Sequence, residues 1–152
     1  MNYKQGIFPI TNENKYNGDL SQKIVYRSSW EYRLMEWLDI SPLVKFWNSE
    51  DVVIPYVFPK ESNNVHRYFV DFYVELINGS KFLLEVKPAK YQSIESFNKE
   101  KSEKVKYEYL KNLAKWTYAK QYAKLNKMKF CILEEKHIAL FIAKVEELRK
   151  SK

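Results

Sequence analysis

Residues 66–87, HRYFVDFYVELINGSKFLLEVK, carry the clearest structural signal in the chain. Two runs rich in aromatic and β-branched residues flank an Asn-Gly-Ser turn, a pattern typical of a β-hairpin. Apolar residues occupy the even positions of both runs, and charged residues occupy odd positions. The alternation predicts one charged, exposed face and one core face. The core face would carry seven side chains: Val70, Phe72, Val74, Leu76, Phe82, Leu84 and Val86.

The turn determines which residues of the hairpin lie opposite each other. A two-residue Asn-Gly turn would mix apolar and charged residues on each face. A three-residue loop with Gly79 in the left-handed conformation pairs Leu76 with Ser80 and keeps the two faces distinct. We therefore predict the three-residue loop, which sets Asp71 opposite Glu85 with their Cβ atoms roughly 5 Å apart.

Two carboxylates this close, with Lys87 beside them, suggest a metal site. Like charges repel, which raises a pKa or recruits a cation. A site with few carboxylates suits Mg²⁺, which keeps several waters and accepts phosphate oxygens. The Lys87 ammonium could then orient a water or offset charge growing on a phosphate. On an arbitrary hairpin the same cluster is a solvated group of charges, so these residues alone leave both interpretations open.

The spacing of these residues resembles a known signature. Asp71, followed fourteen residues later by Glu85-Val86-Lys87, is similar to the PD-(D/E)xK nuclease motif, with Val70 where that superfamily often has proline. Further motifs resemble, in the same order, the head-completion nucleases of contractile-tailed phages, a TnsA-like branch of the superfamily. These motifs are Gly6–Pro9, Lys15–Asp19, Ile24–Glu31, Trp47–Glu50 and His66–Phe69. The resemblance covers about residues 5–90 well.

The resemblance implies a Mg²⁺-dependent endodeoxyribonuclease on a restriction-endonuclease-like α/β fold with a mixed sheet, with Mn²⁺ able to substitute. Asp71, Glu85 and the Val86 carbonyl would bind the metal, and Lys87 would assist an in-line attack of water on phosphorus. The implied role is DNA-end processing in a filled phage head before the tail joins. The implied partners are double-stranded DNA and head, portal or neck proteins.

Glu31 has two competing interpretations. Ser28-x-x-Glu31 is a capping box, in which the glutamate reaches back to the Ser28 backbone amide at the start of a helix. In TnsA-like and related nucleases a glutamate on the first helix approaches the metal, and Glu31 is the residue at the matching place, with Glu36 as a weaker substitute. The sequence leaves both roles open.

Length and composition indicate one folded domain. The chain has 152 residues, 45% of them hydrophobic, and few glycines for a flexible linker. We expect residues 1–26 to form an arm lying on the body, anchored by apolar and aromatic side chains.

The single Cys131 rules out a disulfide framework and a cysteine zinc site. No apolar run has the length of a membrane span, so we expect no membrane association and an intracellular protein. The resemblance refines this to the host cytoplasm during assembly, with the virion as an alternative location.

The positive charge is concentrated in one segment. Residues 99–129 contain ten lysines and three glutamates, which accounts for the whole net charge of +7. A local basic stretch is the expected footprint of a nucleic-acid backbone, although a solvated helix face gives the same pattern. The candidate DNA contacts in the chain are Arg27, His66, Arg67, Lys90, Lys115, Lys120 and Gln121.

The order of predicted elements fits a nuclease core. A helix from Ser28 to about Ile40 is followed by short strands, the hairpin, an amphipathic helix over about 101–126, a strand at 129–133 and a terminal helix at 138–150. A long helix before that strand predicts that the strand is parallel to its neighbour. Two other functions stay open: a non-catalytic virion or DNA-binding protein on a nuclease fold, and a repair or transposition nuclease subunit.

Overall fold

The computed structural model describes residues 5–87 and 103–149. In chain order the strands are β1 Gly6–Ile7, β2 Val25–Tyr26, β3 Val44–Ser49, β4 Val53–Phe58, β5 Ser62–Phe69, β6 Phe72–Leu76, β7 Lys81–Lys87 and β8 Lys129–Glu134. The helices are α1 Ser29–Ile40, α2 Glu103–Leu125 and α3 Ile138–Glu146. Short 3-10 turns occupy Glu13–Lys15, Glu135–His137 and Glu147–Arg149.

A four-stranded mixed sheet, ordered β3-β6-β7-β8, forms the centre of the fold. Strands β3, β6 and β7 are antiparallel, whereas β8 runs parallel to β7. A parallel neighbour needs a crossover connection, and α2 lies in that connection. Strands β4 and β5 form a separate two-stranded sheet. The predicted mixed α/β architecture and the parallel strand β8 are confirmed.

The predicted hairpin register is confirmed. Phe72 pairs with Leu84 and Glu75 with Lys81, and the Leu76 N–H donates to the Ser80 carbonyl at 2.8 Å. Gly79 has a φ of +92°, the left-handed conformation that a three-residue loop requires. The same register places position 71 opposite position 85.

The prediction of one core face and one exposed face was wrong. The even face packs under α1 and α3, with Leu34, Leu38, Trp47 and Phe72 among its buried residues. The odd face is also buried, since Tyr73 and Leu83 pack under α2 and the β4–β5 sheet. Both faces are covered because α2 crosses over to reach the parallel strand β8.

Val70 was predicted to lie on the even face, but it packs with the residues of the odd-face cluster. Strand β6 begins at Phe72, and the chain bends at Asp71 before it. The alternation of the strand therefore does not extend back to Val70. The bend also separates β5 from β6 and lets Asp71 lie at the boundary between the two sheets.

Residues 5–26 pack on the main body through three buried anchors. Phe8, Tyr16 and Ile24 join the even-face cluster, where the Phe8 and Tyr16 rings meet Trp47 edge-on. Thr11 and Asn12 donate their backbone N–H groups to the buried Asp39 carboxylate of α1, each at 2.9 Å. This segment is thereby held by both packing and hydrogen bonds.

Three details predicted from the sequence differ from the structure: buried positions at Leu113 of α2 and at Leu140 and Leu148 of the terminal helix, and a polar connection over residues 60–64. On α2, Leu113 is 39% exposed and Asn112 is buried in its place. On the terminal helix, Leu140 and Leu148 are exposed, because Ile138 and Val145 supply the buried contacts. The polar connection expected at residues 60–64 is shorter, since Ser62 already begins β5. The leucines were assigned to the core from helical periodicity and the connection from its polar composition, and packing by neighbouring elements decided otherwise.

Candidate metal and DNA site

The site is built where β6 begins and β7 ends. Asp71 precedes the first residue of β6, and Glu85 and Lys87 lie on β7, two residues apart and on the same face of that strand. Glu85 is only 4% exposed. The Lys87 Nζ lies 3.3 Å from Glu85 Oε1. The three residues of the predicted motif are therefore brought together.

Asp71 reaches across to β7 through its side chain. Its Oδ2 accepts a hydrogen bond of 2.8 Å from the Val86 N–H. In an extended strand the N–H and C=O of one residue point to the same edge. The Val86 carbonyl, a predicted metal ligand, therefore lies on the edge that Asp71 occupies.

The electrostatics of Asp71 favour a cation. Burial raises the pKa of the Asp71 carboxyl well above its ordinary value, and the neighbouring Glu85 charge raises that pKa further. The Val86 hydrogen bond and the Lys87 ammonium act in the opposite direction, and Glu31 adds to the repulsion. A positive ion placed among these acids would relieve the repulsion that raises the pKa of Asp71.

Glu31 lies near enough to Asp71 for its charge to raise the pKa of that carboxyl, and its own contacts form only part of the capping box. Its backbone N–H donates to Ser28 Oγ at 3.1 Å, which forms half of the capping box. Its Oε1 accepts from the Arg27 backbone N–H at 3.3 Å rather than from that of Ser28. Burial raises the pKa of the Glu31 carboxyl. Glu36, the substitute candidate, is exposed on the opposite face of α1.

The site suits Mg²⁺ better than a metal ion that takes all of its ligands from the protein. Within residues 5–87 and 103–149, no group of three His, Cys, Asp or Glu side chains is arranged to hold a metal ion. Two carboxylates and a backbone carbonyl nevertheless match the way Mg²⁺ is bound in proteins, because waters and substrate phosphate complete its shell. The donor set is all oxygen, which suits this hard cation.

Tyr68 is a site residue that the sequence pattern did not predict. Its hydroxyl donates to Glu85 Oε2 at 2.5 Å, and its ring is buried in the odd-face cluster. Lys115 of α2 lies over the same ring, with its Nζ 5.7 Å from the ring centroid. The alternation of His66, Tyr68 and Val70 was the available signal, but it indicates an inward face only once residues 62–69 are recognised as a strand.

The candidate DNA-contacting residues fall into separate groups. Lys115 lies beside the site, and burial together with the Lys87 charge lowers its pKa. Lys120 lies five residues further along the helix, about 140° around it, and both Lys120 and Gln121 are exposed away from the site. The structure therefore does not bring Lys120 or Gln121 to the acids.

The remaining candidates do not share one surface. Arg27 pairs with Glu50 at 2.5 Å, and the Glu50 N–H donates to the Asp71 carbonyl. His66 lies against the Tyr56 ring of β4, with its Nε2 3.4 Å from Glu61 Oε2. Arg67 is exposed on the opposite face of β5, over the Phe69 ring. Lys90 lies outside the described residues.

None of the helices within the described ranges combines the length and apolar character that a bilayer crossing requires.

Comparisons with known proteins identify similar nucleases. Residues 41–135 match the family model described as the N-terminal part of TnsA-like endonucleases. The chain is also 36% identical over 131 residues to the protein named head completion nuclease from Enterobacteria phage T4. That alignment covers 82% of this chain and 86% of the phage protein. No solved structure gives a significant match.

Proposed function

Because the chain belongs to the TnsA-like endonuclease family, we propose that it is a magnesium-dependent endonuclease that hydrolyses phosphodiester bonds in double-stranded DNA. The observation that carries the proposal is the convergence of Asp71, Glu85 and Lys87 at one end of the β6–β7 hairpin. Metal dependence rests on the buried acids, whose mutual repulsion a divalent cation would offset.

Each site residue has a role in this proposal. Asp71, Glu85 and the Val86 carbonyl hold the cation, with Glu31 as a further ligand or an orienting residue. When bound, Mg²⁺ supplies an activated water and offsets negative charge on the phosphate. The Lys87 ammonium adds positive charge beside Glu85, where it orients that water or stabilises the charge developing on phosphorus oxygens.

The phage relative extends the proposal to a biological role. The similar protein is named for head completion, and we infer that this chain likewise acts on DNA in a filled head before the tail joins. That role places it in the host cytoplasm during assembly, next to head, portal or neck proteins. Activity on a DNA terminus would then be its physiological reaction.

The experiment is a cleavage assay on supercoiled and linear DNA with Mg²⁺. We expect the wild type to cut, and Glu85→Gln and Lys87→Ala to lose roughly a hundredfold in rate. The matched control is Glu75→Gln, because Glu75 is a glutamate of the neighbouring strand β6. Mn²⁺ should replace Mg²⁺, and EDTA should stop the reaction.

Two results would contradict the proposal. Equal cutting by the wild type, Glu85→Gln and Lys87→Ala would remove the site from the reaction. Failure of the folded wild type to cut any DNA with either metal would favour a non-catalytic DNA-binding role instead.

A further inference from the structure

One hydrogen bond connects the two sheets at the site. Tyr68 lies on β5 of the two-stranded sheet, and Glu85 lies on β7 of the four-stranded sheet. The Tyr68 hydroxyl donates to Glu85 Oε2 at 2.5 Å. Tyr68 is 3% exposed and Glu85 is 4% exposed. Hydrogen bonds to a charged group in such a dry environment are short and strong.

The direction of this hydrogen bond is defined by the chemistry of the pair. Burial raises the pKa of the Tyr68 phenol, and the adjacent Glu85 charge raises it further. The phenol therefore stays protonated near neutral pH and serves as the donor. A neutral donor holds Glu85 in place without cancelling its negative charge, unlike an arginine or lysine in the same position.

The contacts divide the two oxygens of Glu85 between different neighbours. Oε2 is held by Tyr68, whereas Oε1 lies 3.3 Å from Lys87 Nζ. Asp71 shows the same arrangement, because its Oδ2 is held by the Val86 N–H. Each acid thus has one oxygen fixed by a neutral protein donor, and the other is the oxygen that a cation would use.

We propose that Tyr68 is a positioning residue for Glu85, which fixes one carboxylate oxygen so that the other is presented to a divalent cation. The inference rests on the proposed function, in which Glu85 is a metal ligand. Groups that hydrogen-bond to metal ligands orient them, and their loss typically lowers metal affinity or activity by about 10–100-fold. Tyr68 would act only through Glu85 and need not touch the DNA.

The chain supplies a matched control in a second tyrosine–glutamate pair. The Tyr73 hydroxyl donates to Glu75 Oε1 at 2.7 Å, and Tyr73 is 7% exposed. Tyr73 lies on β6 and packs in the same odd-face cluster as Tyr68. Tyr73→Phe therefore removes a tyrosine hydroxyl of the same cluster from a partly buried hydrogen bond, at a glutamate with no proposed role in metal binding.

The test compares Tyr68→Phe with Tyr73→Phe in two measurements. Calorimetric titration of the DNA-free protein with Mn²⁺ should show affinity weakened by about 10–100-fold in Tyr68→Phe and unchanged in Tyr73→Phe. In the cleavage assay, Tyr68→Phe should need a correspondingly higher Mg²⁺ concentration for half-maximal rate. Saturating Mg²⁺ should restore most of its rate, whereas Glu85→Gln should keep its roughly hundredfold loss. Thermal unfolding checks that both variants are folded.

The two measurements separate failure of this inference from failure of the proposed function. If the wild type binds Mn²⁺ and cleaves DNA, and folded Tyr68→Phe matches it in both, only the role of Tyr68 is overturned. If the wild type binds Mn²⁺ but never cleaves, the proposed function fails and the Mn²⁺ affinities alone decide the role of Tyr68. A wild type that binds no Mn²⁺ overturns both. An equal loss of affinity in Tyr73→Phe would show that a general loosening of the cluster is responsible.

Discussion

Individual acids in this fold serve opposite purposes, as the buried Asp39 and the half-buried Asp71 show. Asp39 accepts backbone hydrogen bonds from Thr11 and Asn12 and so stabilises the contact between α1 and the N-terminal segment. Asp71 has one hydrogen bond from Val86 and faces the charge of Glu85. Functional sites often retain groups that lower the stability of the fold. Asp71 is such a group in the absence of a cation.

We predict that Asp71→Asn stabilises the metal-free protein. An asparagine can still accept the Val86 hydrogen bond, but it carries no charge to repel Glu85, so unfolding in EDTA should cost about 1 kcal/mol more. Asp39→Asn is the matched control and should destabilise by about 1–3 kcal/mol, because the backbone N–H of Thr11 or of Asn12 loses its charged acceptor. Thermal or urea unfolding measures both, and a destabilised Asp71→Asn would contradict the account.

The same substitution should change the pH dependence of stability. The folded-state pKa of Asp71 lies above its ordinary value of 3.8. Its contribution to stability is therefore complete below about pH 3.8 and is lost as the pH rises through the folded-state pKa. In EDTA, the stability advantage of Asp71→Asn over the wild type should grow from acidic toward neutral pH. A constant difference across that range would contradict the raised pKa.

At the scale of elements, the lysines on the two flanks of α2 have different surroundings. One flank carries Lys115, which lies over the rings of Tyr56 and Tyr68. The other carries Lys120, exposed and about 140° away around the helix. Only the first flank adjoins Glu85 and Lys87. The basic character of the helix therefore does not imply that all of its lysines face the same DNA strand.

We predict that Lys115→Gln weakens DNA binding more than Lys120→Gln does. A lysine that contacts a phosphate contributes about one unit to the slope of log affinity against log salt concentration. Fluorescence anisotropy over a salt series, with Ca²⁺ in place of Mg²⁺, would measure that slope for both variants. Equal effects of the two substitutions would mean that the whole helix surface acts as one electrostatic patch.

Elements with strong local signals could be predicted from the sequence, and pairings between distant elements could not. The bulged turn at Gly79 and the capped start of α1 depend on residues within a few positions of each other. The pairing of β4 with β5, and hence the inward direction of Tyr68, depends on packing against α2, some forty residues later in the chain. Motif spacing located Asp71, Glu85 and Lys87 but gave no indication of what holds Glu85 in place.

At the scale of the whole molecule, one sheet separates two hydrophobic clusters. The even-face cluster contains Trp47 and the odd-face cluster contains Trp116. Both clusters share strands β6 and β7, since alternate residues of these strands point to opposite sides. The site lies where the odd-face cluster meets the end of the hairpin, so its geometry depends on both layers.

We predict that the two clusters unfold together. In Trp116→Phe the remaining tryptophans, Trp30, Trp37 and Trp47, all report on the even-face cluster. Fluorescence and far-ultraviolet circular dichroism should then give the same urea midpoint, because shared strands make the transition cooperative. A separate dichroism transition at lower urea would show that α2 and the β4–β5 sheet unfold independently of the rest.

The hairpin turn has a stereochemical consequence. Gly79 has a φ of +92°, and no atom lies within 4 Å of the place where a Cβ would stand. Glycine is therefore required because L-residues are strained in this left-handed conformation, and not because a side chain would lack room. A D-alanine introduced by chemical synthesis would adopt the same backbone, with its methyl group in open solvent. The alignment of the two acids thus depends on one achiral residue that a mirror-image amino acid could replace.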